Sequence, residues 1–322
     1  MADTKHGGDD HLETSRRIAG EGIETADIET EELRFRSDGE ECAATLYRSD
    51  TAVADEMPCV VMGNGFSLTR HDGMPRFAER FADRGIAALT FDFRHLGDSD
   101  GEPRQLIDYQ RQRSDLAAAV AYARTLDRVD GDRIAVWGYS FGGGHVLPVA
   151  AQDDRLAAVI SMFPMLDGLE FVREYGLRNN ARYVAAAARA AIGRRPIRMA
   201  VTGPPGAPAV LNHAEAEPGF DAVCAEDSRW RNVFLAKPSQ SIVQIRPVRD
   251  APDVQCPLLF CLGTEDTMMP LRAIERAADR APQAELLRYP CGHFDGFLDA
   301  FKAVVGDQFV FLEDHLDPST PA

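Results

Sequence analysis

The sequence predicts an α/β fold: a mostly parallel sheet of about eight strands, helices on both faces, and an inserted helical cap. Three observations predict it. Short apolar runs alternate with helical segments, in the order β β β α β α β α β, up to about residue 168, a rhythm that implies parallel strands joined by right-handed crossovers. The runs are continuously apolar rather than alternating, which suits strands covered on both faces. The rhythm then stops from about residue 169 to 251 and resumes at Pro257. A gap of about eighty residues between core strands is too long for a loop in a compact domain, so it reads as an insertion over the C-terminal edge of the sheet. The chain thus divides into a polar tail (1–26), a first core part (27–168), a helical cap (169–251) and a second core part (252–322).

Each element has a local reason. Glu31 to Arg36 and Cys42 to Tyr47 flank Ser37-Asp38-Gly39-Glu40, a hairpin turn signal, and read as two antiparallel strands at one edge of the sheet. Pro58 to Gly63 is a buried strand. Arg76 to Arg84 is a helix with Phe77, Ala78, Phe81 and Ala82 on one face. Ile86 to Phe91 is the next strand, and Asp108 to Thr125 a long helix carrying Leu116, Val120 and Tyr122. Arg133 to Tyr139 is a strand that runs through Ser140 into a helix, and Leu156 to Phe163 is a further strand. Within the insertion, Asn180 to Ile192 reads as a helix, Gly203 to Pro208 as a turn, and Asn212 to Cys224 as a weaker helical region. The core resumes with a strand at Pro257 to Gly263, a helix at Leu271 to Arg280, a strand at Leu286 to Tyr289 and a helix at Phe297 to Leu316.

Composition narrows the function. A formal net charge of −16 argues against nucleic acid or an anionic membrane as partner. No run approaches the roughly 18 to 20 apolar residues of a membrane span, and Met1 to Asp10 is polar and acidic, unlike a signal peptide. The six cysteines form no C-x-x-C pair and fit no zinc site. The expectation is a reduced, cytoplasmic protein without metal or organic cofactor, with a homodimer left open. His6 and His11 fall in the polar tail.

The stretch Gly138-Tyr139-Ser140-Phe141-Gly142 carries the chemistry. It reads G-x-S-x-G between a strand and a helix, the context in which a strained turn lifts a serine clear of the sheet. A serine hydroxyl needs a base within hydrogen-bond reach, and that base needs an orienting acid. His293, in Gly292-His293-Phe294, follows the serine in the chain and stands after a core strand; none of the other seven histidines does both. Asp266, directly after the strand ending at Gly263, is favoured as the acid, with Glu265 beside it and Asp167 after an earlier strand as alternatives. Two N–H donors would stabilise an oxyanion: the backbone of Phe141, and that of Phe66 in the Gly63-Asn64-Gly65-Phe66 loop. In Phe91-Asp92-Phe93-Arg94, Asp92 and Arg94 are expected to pair and brace the floor of the site.

These residues together resemble the α/β-hydrolase fold superfamily, and within it bacterial serine esterases, thioesterases and dipeptidyl-peptidase-like hydrolases. The resemblance covers about residues 30 to 316. It rests on the Gly63 to Phe66 loop, Phe91 to Arg94 with Gly97-Asp98-Ser99, the Gly138 to Gly143 turn, Gly263 to Asp266, and Gly292-His293-Phe294; Trp230-Arg231-Asn232 is also familiar. Many relatives have His-Gly before the oxyanion donor, whereas this chain has Asn64-Gly65, so Asn64 is expected to replace a structural hydrogen bond. The resemblance is specific for fold and triad and weak for substrate. The expected activity is hydrolysis of a small-molecule ester or thioester through an acyl-enzyme. The alternatives are a peptidase or an acyltransferase with the same triad, and a non-catalytic scaffold on this fold. Arg173, Arg178, Arg182, Arg189, Arg194, Arg195 and Arg198 make a positive island within the insertion. They read either as a solvated or ion-paired face or as an attractor for anionic substrates.

Overall fold

The computed structural model describes residues 27–49, 56–174, 196–236 and 242–316. The chain opens with a hairpin, β1 (Ile28–Ser37) and β2 (Glu40–Ser49), paired antiparallel with Ser37 opposite Glu40. Asp38 and Gly39 both take positive φ, 47° and 90°, as a two-residue turn matched to strand twist requires. β3 (Met57–Gly63), α1 (Met74–Ala82), β4 (Ala87–Phe91) and the two-residue β5 (Leu106–Ile107) follow. Next come α2 (Tyr109–Ala123), started by Asp108 accepting from Arg111 N–H, then β6 (Val129–Tyr139), α3 (Phe141–Ala150), β7 (Ala158–Met162) and α4 (Gly168–Glu174).

After residue 195 the chain forms β8 (Ile197–Thr202), β9 (Ala209–Leu211), α5 (Ala216–Val223) and β10 (Phe234–Ala236). It then returns through short 3-10 turns to β11 (Leu258–Gly263), α6 (Leu271–Ala278), β12 (Ala284–Tyr289) and α7 (Phe301–Leu316).

The main sheet has eight strands in the order β1-β2-β4-β3-β6-β7-β11-β12. From β4 onward along that order every pairing is parallel, while the hairpin joins β4 antiparallel. All residues of β3, β4, β7 and β11 are buried, which explains their unbroken apolar runs. α2 and α3 pack together on one face, and α1 and α7 meet on the other. Beneath the latter pair, Trp137 of β6 is fully buried and donates its indole N–H to Gln308 of α7 at 2.8 Å. Phe77 packs on that indole and edge-on against Phe297 and Phe301.

Strand order reverses between β3 and β6: β4 lies on one side of β3, and the chain then crosses back to place β6 on the other. The loops leaving the carboxyl ends of β3 and β6 diverge there, with Gly63 opposite Gly138, and form the crevice where open α/β sheets bind ligands.

Two expectations need correction. The segment between β7 and β11 is not helical throughout its described part. β8, β9 and β10 join β5 in a second sheet, ordered β5-β10-β8-β9. Strands of three to six residues are too short to print a period, and Asn232, distant in sequence, holds β8 by bonding both the N–H and the C=O of Thr202. α5 does fall within the helical region expected at Asn212 to Cys224. The other correction concerns the loop after β4. Asp92 and Arg94 do not pair. Asp92 binds Arg70, and Arg94 binds Asp115 of α2, with all four side chains buried. The strand ends at Phe91, so the two-residue period that would put both side chains on one face no longer holds: Asp92 turns to the loop after β3, where it also accepts from the Arg70 N–H, and Arg94 turns to α2. The tail, the helix expected at Asn180 to Ile192, and Arg178, Arg182, Arg189, Arg194 and Arg195 lie outside the described residues.

Candidate active site

The site is built first by the turn between β6 and α3. Ser140 stands there at φ 54° and ψ −112°, outside the regions a side-chain-bearing residue prefers. The surroundings hold it in place. Its N–H donates to Met162 C=O at 2.9 Å, and its own C=O accepts from Gly144 N–H at 3.1 Å and Met165 N–H at 2.9 Å. A Cβ on Gly142 would lie 2.2 Å from Gly63 O, and one on Gly138 would lie 2.3 Å from Gly142 O. Both clashes are with backbone, which cannot turn aside. Gly142→Ala is therefore expected to destabilise the fold by about 3 kcal/mol or more, or to leave the protein insoluble; thermal denaturation checks this.

His293 sits in the loop between β12 and α7 and is 1% exposed. Its Nε2 lies 2.9 Å from Ser140 Oγ, placed to accept the hydroxyl proton. Its Nδ1–H donates to Asp266 Oδ2 at 2.6 Å. Asp266, in the loop after β11, also accepts from Met268 N–H at 2.7 Å and Met269 N–H at 3.0 Å through Oδ1. That second oxygen locks the carboxylate, so Oδ2 is aimed rather than free to rotate. The three residues are 153 and 27 positions apart in sequence and meet only because β6, β11 and β12 end on one side of the sheet.

The alternative acids are elsewhere. Glu265 is exposed. Asp167 is fully buried, opens α4 by accepting from Leu169 and Glu170 N–H groups, and pairs with Arg246 and Arg276. Burial opposes its ionisation, but the Arg246 hydrogen bond and those backbone donors outweigh that and hold its carboxyl below the usual range.

In the loop after β3, the Asn64 side chain donates to Thr69 C=O and Asp72 C=O, each at 2.7 Å, and accepts from Gly65 N–H at 2.8 Å. It thus ties the start of this loop to the turn at Thr69 to Asp72. The same bonds take up the Gly65 amide and leave that of Phe66 as the next donor along the loop. The Phe66 ring meets Phe141 edge-on at 5.4 Å and Phe234 of β10 at 5.1 Å, an aromatic cluster built on the residue that follows Ser140. Tyr139 lies under the base, its hydroxyl donating to His293 C=O at 3.1 Å.

Two residues near this site were not candidates from sequence. Glu215, from the segment between β7 and β11, accepts from the His293 N–H and from Thr267; nothing in its local sequence marks it. His145 of α3 is fully buried among Phe93, Tyr109 and Phe141, with its Nδ1 2.5 Å from Phe141 O. Burial pushes its pKa from the ordinary 6.5 down to about 4. The unfolded chain would take up a proton below pH 6.5 that the folded chain refuses until about pH 4, so this group's contribution to stability falls as pH drops through that window. Between pH 7 and 5 the loss is on the order of 2 kcal/mol. Urea unfolding at both pH values should show this component in the wild type and its absence in His145→Phe.

Among the described residues no group of three or more His, Cys, Asp and Glu side chains could hold a metal ion, and no helix is long and apolar enough to cross a membrane. The six cysteines are free.

A serine on a strained strand-to-helix turn, at the switch point of a largely parallel sheet, defines the class of hydrolases whose chemistry runs from that turn. The family model for the alpha/beta hydrolase fold matches residues 58–300, and the chain belongs to that family. It is 38% identical over 287 residues to the quorum-quenching protein AidA of Acinetobacter baumannii, a match spanning 88% of this chain and 94% of that protein. It is 36% identical over 110 residues to the thiohydrolase aneE of Aspergillus aculeatus, covering 34% of this chain and 35% of the relative. The crystal structure of the alpha/beta hydrolase GrgF from Penicillium sp. sh18 superposes with a TM-score of 0.71 at 23% identity, over 90% of this chain and 99% of that one, a likeness of fold.

Proposed function

We propose that this protein cleaves a carboxylic ester or thioester of a small molecule through an acyl-enzyme on Ser140. The observation that carries this reading is the unbroken hydrogen-bond chain from Ser140 through His293 to Asp266. In the reaction, Ser140 Oγ attacks the acyl carbon as His293 Nε2 takes its proton. Asp266 holds the imidazole with Nδ1–H toward itself and stabilises the imidazolium that forms. The amides of Phe141 and Phe66 bind the oxyanion, whose charge appears only in the transition state, so their help lowers the barrier rather than KM. The tetrahedral intermediate collapses, and the alcohol or thiol leaves with the proton from His293. Water then repeats the sequence: His293 takes its proton, hydroxide adds to the acyl carbon, and the acid and the free serine are released. The chain's own groups supply every proton transfer.

The aromatic cluster of Phe66, Phe141 and Phe234 next to Ser140 supports an apolar acyl or aryl group in the substrate. The thiohydrolase among the relatives supports including thioesters. Free thiols and the acidic surface suit a reduced cytoplasmic setting and a soluble small substrate. A fluorophosphonate probe should label the wild type at Ser140, and a panel of aryl esters and acyl thioesters should then be turned over. Labelling without turnover of any ester or thioester in water, but with transfer to an added alcohol or thiol, would assign an acyltransferase. No labelling would leave a scaffold.

A further inference from the structure

We infer that Glu215 is a positioning residue that clamps the acid loop and the base loop together, so that the chemistry depends on the inserted segment being seated. The inference rests on the triad reading above. Glu215 comes from outside the main sheet, one residue before α5. Its carboxylate reaches across to both loops. Oε1 accepts from the N–H of Thr267 at 2.9 Å and from the Thr267 hydroxyl, next to Asp266; Oε2 accepts from the N–H of His293 at 3.1 Å. An ionised carboxylate offers acceptors only, and all three of these partners are donors.

The approach is prepared from both sides. A Cβ on Gly292 would lie 2.8 Å from Glu215 Oε2, so glycine there lets the carboxylate close on the loop. On α5, a Cβ on Gly219 would lie 2.0 Å from the Phe294 ring, and Phe220 packs edge-on to Phe294 at 5.5 Å. α5 therefore rests directly on the residue after the base. At their roots the two loops are joined by the Thr264 N–H to Tyr289 C=O bond and the Glu265 N–H to Cys291 C=O bond. Farther out, beside the reacting side chains, Glu215 ties the backbone of His293 to the residue after Asp266. Without it, the His293 N–H would lose its partner, and the backbone would keep only the Tyr139 bond to its C=O while the imidazole relies on Asp266 to aim it at the Ser140 proton it must take. Loss of fixed geometry at such a point costs rate far more than affinity, and a displacement of about 1 Å can cost about a hundredfold.

The test compares wild type, Glu215→Ala and Glu215→Gln on an aryl ester, with each preparation titrated for active serine by a fluorophosphonate. Glu215→Ala should lower kcat per titrated site about a hundredfold, with KM changed less than about threefold, and should slow fluorophosphonate inactivation by a similar factor. Glu215→Gln keeps one acceptor but turns an NH2 toward a donor, so it should fall between the two. Should Glu215→Ala fail to fold, Glu215→Gln and Thr267→Val carry the test, and their double variant should lose less than the product of the single losses because both cut one clamp. Wild-type kcat per titrated site, or a loss confined to KM, would overturn the clamp while leaving the triad standing. A wild type that the probe does not label at Ser140 would overturn the triad, and the clamp with it.

Discussion

Ser140→Ala is expected to lose about a million-fold in kcat on an activated aryl ester, in keeping with removal of the nucleophile in other triad enzymes. The variant should fold. Alanine fits the space, since among the described residues the Ser140 Oγ bonds His293, while the backbone bonds to Met162, Gly144 and Met165 remain. The positive φ at this position is borne by the surrounding bonds in either protein. A residual rate above that in water should survive, because the Phe66 and Phe141 amides and the binding crevice act without the serine. Circular dichroism and single-turnover kinetics on the same preparation separate loss of chemistry from loss of fold. Near-native activity in a folded Ser140→Ala protein would remove the proposed mechanism altogether.

Asp266→Asn should cost on the order of ten-thousand-fold in kcat. The amide is isosteric, but its NH2 is a donor, and a donor facing His293 Nδ1 favours the tautomer with the proton on Nε2, where it cannot accept from serine. The loss of the carboxylate also removes the charge that stabilises the imidazolium. If the amide oxygen stays on the Met268 and Met269 N–H groups, the turn survives while NH2 replaces Oδ2. Asp167→Asn is the control. It should lower stability, because Arg246 and Arg276 lose a buried anion, but leave kcat within a few-fold, since Asp167 opens α4 and touches no triad residue in the bonds it makes. The opposite ranking of the two variants would move the acid to the end of β7.

Much of the site could be read along the chain because its parts carry local signatures. The glycines around Ser140 are required by clashes at 2.2 and 2.3 Å that any side chain would make, so the turn prints itself as G-x-S-x-G. Asp266 and His293 follow core strands recognisable in the sequence, and chain order together with that position separated His293 from the other seven histidines. Asp92 and Arg94 show where that reasoning stops. Their charges are two residues apart in sequence, yet each is buried against a partner from a different element, Arg70 and Asp115, which no local pattern identifies.

The sequence by itself determined the parallel sheet, the strained serine turn and the order serine, acid, base, because each depends on the period of apolar residues or on steric limits acting within a few positions. Only the tertiary structure decided which acid reaches His293, that the segment between β7 and β11 contributes short strands, and that Glu215 joins the loops after β11 and β12. Those outcomes are hydrogen bonds between groups tens of residues apart. Their energies depend on distances that the packing of whole elements sets, and packing leaves no periodic mark on the residues it brings together.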